Sequence, residues 1–189
     1  MESESMMAET SVDRDIRRHR AADATVTLTA NGEPLAGREV RVEQLRHKFL
    51  FGCTAFEALE LAAGETDDAE RDERMLELWE GLFNFATLPF YWGRFEPRRG
   101  EPDTERVLAA ARLLTERGHA VKGHPLAWHT VTADWLLDLD NAEIARVQTE
   151  RIKREMTDFA GLIDMWDVIN EVVIMPIFDK YDNGITRIC

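Results

Sequence analysis

A chain of 189 residues, 44% apolar and 31% charged, is long enough for an ordinary domain with a real core, which excludes disorder over most of its length. Its net charge of −13, from 36 acids against 23 bases, speaks against nucleic acid as a partner, because such binding needs clustered positive charge. No stretch approaches the ~20 apolar residues of a membrane span, and Cys53 and Cys189 fit no disulfide framework or metal-ligand spacing, so both read as free thiols.

Residues 1–22 read as a polar, flexible lead-in. They hold no apolar run of signal-peptide length, so the default expectation is a cytoplasmic protein. Over residues 23–48, Val26, Leu28, Val40 and Val42 alternate with polar positions around NGEPLAG, which predicts a β-hairpin with a somewhat long loop. The run HKFLFGCTAF is short, apolar and of strand type. The period then changes: Met75, Leu78, Trp79 and Leu82 recur at three- and four-residue steps within DDAERDERMLELWEGLF, predicting an amphipathic helix with those residues inward.

NFATLPFYW predicts a strand running into a loop. DTERVLAAARLLTERGH predicts a helix that buries Val107, Leu108, Ala111 and Leu114, with Gly118 at its C-terminal cap. AVKGHPLAW is again strand and loop, NAEIARVQTERIKREMTDFAG a third helix with Ile144, Val147, Ile152 and Phe159 among its apolar positions, and IDMWDVINE a last strand. Strands alternating with helices over short connections imply parallel pairing, in an open doubly wound sheet or a (β/α)₈ barrel. No glycine-rich phosphate loop follows any strand, which disfavours the nucleotide-binding version. Barrel enzymes carry their chemistry at the C-terminal strand ends, where this chain has PFYW, GHPLAWH and INE.

Asn170 and Glu171 end the last strand, and both can serve one site only if the strand bends or stops there. A carboxyl in a partly desolvated mouth would suit proton donation. His124, Trp128 and His129 follow the preceding strand, where a histidine can bond a ligand hydroxyl and an indole can cover the C–H face of a sugar. Taken alone, Glu171 also fits the start of a solvent loop and Trp128 a core position. A metal site joining His124, His129 and Glu171 lacks the one-face geometry of a zinc helix.

KGHPLAWH, then ADWL, a helix and WDVINE resemble glycoside hydrolase family 10, the endo-β-1,4-xylanases, and YWGRFEPRRGE stands where that family has a KWxxxEPxxGx segment. The resemblance implies a TIM barrel, of which residues 49–189 supply about the first four βα units after the hairpin at 23–48. It implies Glu171 as general acid/base and Asn170 as the amide beside the sugar 2-hydroxyl. His124 and Trp128 would line the cleavage point, with Trp92 and His129 in the substrate-binding set. The substrate implied is a β-1,4-linked oligo- or polysaccharide, with no cofactor and no metal.

The family's nucleophile lies on the seventh strand, so the chain is expected to behave as an inactive fragment prone to self-association through open barrel edges. In LPFYW, Leu88, Pro89 and Tyr91 stand where the family has asparagine, glutamate and lysine, which implies a less polar wall and weak discrimination among β-linked sugars. A carbohydrate-binding module and a metal-dependent barrel hydrolase are the competing readings.

Overall fold

The computed structural model describes residues 10–171, in two compact units divided between Leu45 and Arg46. In the first, helix α1 (Ser11–Arg20) lies within the expected lead-in. Its N-terminus is closed by a capping box: Thr10 Oγ1 accepts from the Asp13 N–H while Asp13 Oδ2 accepts from the Thr10 N–H. Strands β1 (Thr29–Ala30) and β2 (Glu33–Pro34) pair antiparallel. Asn31 and Gly32 join them at φ of 52° and 83°, the left-handed pair that matches strand twist in a two-residue turn. The loop is thus tighter than predicted, and Val26, Val40 and Val42 stand exposed outside the ladder.

The second unit runs β3 (Gly52–Thr54), α2 (Glu57–Ala63), α3 (Ala69–Glu80), β4 (Phe85–Pro89), α4 (Trp92–Phe95), α5 (Thr104–Glu116), β5 (Ala120–His124), a 3₁₀ turn (Asp134–Asp138), α6 (Asn141–Asp158) and β6 (Met165–Trp166). The four strands are parallel and neighbour one another in chain order, β3-β4-β5-β6. That is the layout of successive βα units in an arc of a (β/α)₈ barrel. Among the described residues β3 and β6 are paired on one side only, so the barrel is not closed.

Each strand divides its residues between two faces. Ala86, Leu88 and Val121 point into the helix layer, where they meet Ala58, Leu59, Val107, Ala111, Leu114 and Phe159. Each larger side chain fully buried there contributes about 1.5–3 kcal/mol. Gly123 belongs to the same layer because the Trp166 ring lies against it: an added Cβ would sit 2.2 Å from that ring. The other face carries Thr87, Pro89, Lys122, His124 and Asp167, all half-buried. The strands are therefore polar where they face the open side, and Val168 and Ile169 of WDVINE are exposed.

Helix α5 buries the predicted face, and α6 buries Ile144 and Val147, with Phe159 just beyond its end. The predicted face of α3 is corrected. Leu76 is buried and Trp79 half-buried, whereas Met75, Leu78 and Leu82 are 50%, 59% and 70% exposed. Both stripes have helical spacing, and packing against α2 selects the first. Cys53 is a free, exposed thiol, and Cys189 lies outside the described residues. No described helix is long and apolar enough to cross a membrane.

Candidate active site

The open face of the sheet gathers its charge at the ends of β5 and β6. The register sets Lys122 beside Met165 and Gly123 beside Trp166, which brings Asp167 level with His124. Asp167 Oδ2 accepts from Lys122 Nζ at 2.7 Å and lies 2.7 Å from His124 Nδ1. Burial alone would push the Asp167 carboxyl up, but the Lys122 ammonium and the His124 ring more than offset it and hold the carboxyl below its usual range. Facing a carboxylate oxygen, Nδ1 is the donor of this pair, and Asp167 thereby orients the ring.

Beyond His124 the chain stays in register with β6. Leu126 and Ala127 donate to the carbonyls of Asp167 and Val168, and the Asn170 N–H returns to Ala127 O at 2.9 Å. Glu171 then turns the backbone at φ 54°, a left-handed conformation that costs a residue with a side chain about 1–3 kcal/mol. Strand β6 itself ends at Trp166, and the backbone after it keeps its bonds to the Gly123–Ala127 segment as far as Asn170. Glu171 Oε2 accepts the Trp128 indole N–H at 2.8 Å. Glu171 is exposed and Asn170 half-buried, so the desolvated mouth expected around the carboxylate is not formed by the described residues.

Tyr91 completes this corner. Its ring stands edge-on to His124 at 5.6 Å and tilted to Trp128 at 5.6 Å. Beside it opens a cleft of about 280 Å³ lined by Phe56, Pro89, Tyr91, Arg94 and Phe95 among others. Tyr91 and Pro89 face this side, but Leu88 is fully buried in the helix layer. The expected wall of Leu88, Pro89 and Tyr91 is thus corrected to two residues, because strand alternation sends Leu88 the other way.

Trp92 and His129 lie elsewhere. Trp92 is 7% exposed, packs edge-on to Trp135 and gives its indole N–H to Glu96 Oε2 at 3.2 Å. His129 is fully buried beneath Trp128, with ring centres 6.0 Å apart. Around Trp92 stands an ionic anchor on α6. Arg151, 2% exposed, places its guanidinium 4.9 Å from the Trp92 ring centre and donates to the carbonyls of Phe90 and Leu126. Those carbonyls precede Tyr91 and Ala127–Trp128, so one side chain fixes both loops of the corner. Burial pushes Arg151 down to about 10, still charged at neutral pH.

Glu96 accepts from Arg154 at 2.6 Å, from the Gly100 N–H at 2.8 Å and from Trp92. Burial would raise its carboxyl, but these donors hold it below the usual range. Glu155, fully buried beside Arg151 and Arg154, is instead pushed up by that burial.

Sequence reasoning passed over Lys122, Asp167, Arg94 and Arg151. The period-2 pairing of Lys122 with His124 is a local signal for the first and the three-residue step from Tyr91 for Arg94, whereas Asp167 needs the cross-strand register and Arg151 the α6 packing. Among the described residues no three His, Cys, Asp or Glu side chains gather as metal ligands, so His124, His129 and Glu171 do not form the metal grouping considered above.

The family model for Glycosyl hydrolase family 10 matches residues 74–180, more than half of the chain. Endo-1,4-beta-xylanase B of Thermotoga neapolitana is 26% identical over 105 residues, covering 53% of this chain and 30% of the relative. Endo-1,4-beta-xylanase 5 of Arabidopsis thaliana is 25% identical over 154 residues, covering 79% of this chain and 26% of the relative. Native xylanase 10B from Thermotoga maritima superposes with a TM-score of 0.54 at 25% identity over 64% of this chain and 36% of that one. A family 10 endoxylanase from a sugarcane soil metagenome, at TM-score 0.56 and 19% identity over 66% of this chain and 36% of that one, shares the fold. The chain spans only about a third or less of the length of the curated relatives it matches.

Proposed function

Since the chain belongs to glycosyl hydrolase family 10, we propose that it supplies the acid/base side of a retaining site for β-1,4-linked, xylan-type poly- or oligosaccharides. Glu171 is the proton donor to the leaving oxygen and then the base that activates water. The observation that carries this reading is the 2.8 Å bond from Trp128 to Glu171 in the segment that follows β6, beside a histidine oriented by Asp167. Trp128 holds one carboxylate oxygen and leaves the other for the proton. His124 and Asn170 contact the sugar on the same side, while Trp92 and His129 support the corner from behind.

A retaining mechanism needs a second carboxylate about 5–5.5 Å from the first. Asp167 stands four residues earlier in the chain, just past the end of β6, and its Oδ2 is engaged by Lys122 and His124. In this reading the nucleophile is not Asp167 but the family's seventh-strand carboxylate, so the 189-residue chain alone is expected to give no turnover at an enzymatic rate. The one-sided edges of β3 and β6 favour self-association of that chain. Residues 49–189 act as the barrel portion and 23–48 as an extension to it.

The test compares leaving groups in whatever form of the protein turns over substrate. Glu171→Ala lowers the rate on a xylo-oligosaccharide by about 10²–10⁴, and that on an aryl xyloside with a good leaving group far less, because only the first needs protonation at departure. Equal losses on both substrates remove Glu171 from the role. Turnover by the isolated chain that vanishes in Glu171→Gln would place the second carboxylate within these residues.

A further inference from the structure

The cleft beside Tyr91 is charged as well as aromatic, and its two arginines differ. Arg106 is neutralised by Glu65 at 2.8 Å and Asp103 at 3.6 Å, with Glu60 at 3.9 Å. Arg94, exposed on α4, has no carboxylate within 4 Å among the described residues. Its guanidinium carbon lies 5.8 Å from the centre of the Tyr91 ring. A planar fork of five donors held over an aromatic ring at the cleft can donate to a pair of neighbouring hydroxyls of a pyranose. The cleft volume of about 280 Å³ falls at the small end of ligand sites, roughly 300–1,000 Å³, which suits one sugar unit.

We infer that Arg94 is a substrate-binding, specificity-determining residue, donating to the hydroxyls of a neutral pyranose unit held in the cleft beside Tyr91. This rests on the glycosidase reading above. It also revises the expected wall: the position of Tyr91 supplies no cation, but Arg94, three residues on, returns one to the same cleft. Selectivity then follows the sugar's hydroxyl pattern, because a polar group left without its partner is strongly penalised, and the weak discrimination expected of an apolar wall does not arise.

The experiment titrates the 189-residue chain with β-1,4-xylobiose and with monodeoxy xylobioses, followed by amide chemical shifts. Arg94→Gln weakens xylobiose binding by about tenfold or more, the loss of a charged hydrogen bond. Arg94→Lys recovers part of it, as a cation with single-point donors should. Against the deoxy sugar lacking the contacted hydroxyl, Arg94→Gln and the parent bind within about twofold of each other, which a merely structural role would not produce. Xylobiose binding within about twofold of the parent in Arg94→Gln, while Trp128→Ala abolishes it, overturns this inference and leaves the glycosidase reading standing. Absence of any saccharide binding, or binding indifferent to Trp128→Ala, overturns both.

Discussion

Trp92 and Trp128 each donate an indole N–H to a carboxylate, at 3.2 and 2.8 Å, on opposite sides of the same strand ends. Behind, Glu96 is 3% exposed and its oxygens are taken by Arg154, Gly100 and Trp92. In front, Glu171 is exposed, with Trp128 as the bond partner found among the described residues. The same pairing therefore makes a buried joint where both Glu96 oxygens are taken, and an exposed corner where, among the described residues, Trp128 takes one oxygen of Glu171. Satisfaction, more than residue type, separates the two. Arg151 ties them together, since it lies against Trp92 while bonding the carbonyls that lead into Tyr91 and Trp128.

The sharpest way to break the contrast is to remove that tie. Arg151→Met keeps much of the volume but leaves the Phe90 carbonyl without this donor, the Leu126 carbonyl with Gln148 and the buried Glu155 with Arg154, a change expected to cost about 3–5 kcal/mol because two hydrogen bonds from a buried charged donor are lost. Urea unfolding measures it, and the 189-residue chain should lose its cooperative transition or show a large drop in midpoint. A cost under about 1 kcal/mol, the level of an exposed pair, would mean that Arg151 is not an anchor.

A smaller contrast comes from the two indoles. Trp92→Phe leaves the buried Glu96 one donor short, expected to cost about 1–3 kcal/mol. Trp128→Phe leaves an exposed carboxylate that water can satisfy, so stability should change by no more than about 0.5 kcal/mol. Paired denaturation curves decide it, and equal losses would erase the distinction between joint and corner.

The front of this picture was more legible in the sequence than the back. His124, Trp128, Asn170 and Glu171 follow strands that alternation and turn chemistry mark, and the structure sets the Trp128 ring 6.5 Å from that of His124 and bonds it to Glu171. Trp92 occupies a similar sequence position after β4, yet whether a strand-end indole turns outward or inward depends on α6, which is remote in sequence. No local pattern distinguishes a buried helix pair such as Arg151 and Glu155 from an exposed one. In α3, two apolar stripes of equal period competed, and only the contact with α2 favours Leu76 over Met75, Leu78 and Leu82. The helix at Ser11–Arg20 had a local signal in the Thr10–Asp13 spacing, while the hairpin signal was sound but its loop was drawn too long.

The smallest expected effect concerns acid, where the two regions contain carboxylates shifted in opposite directions. Glu96 and Asp167 are held below their ordinary values, against burial, by Arg154 and by Lys122 with His124 respectively. A carboxyl depressed in the folded state adds stability above its unfolded value, about 4, and loses it as pH falls through the lower folded value. Glu155 is raised by burial, so its effect has the other sign: it costs stability at neutral pH, and that cost fades as pH falls through the raised value. Asp167 is about a third exposed, so solvent screens its share. The anchor thus carries a depressed and a raised carboxyl that partly cancel, and the parent chain should show a shallow decline below about pH 4. Glu96→Gln should flatten that decline further, whereas Glu155→Gln removes the opposing group and should steepen it. Thermal midpoints from pH 7 to pH 3 provide the measurement. Parallel curves for both variants would show that these shifts do not feed into stability, and that the anchor holds by packing and hydrogen bonds to carbonyls rather than by charge.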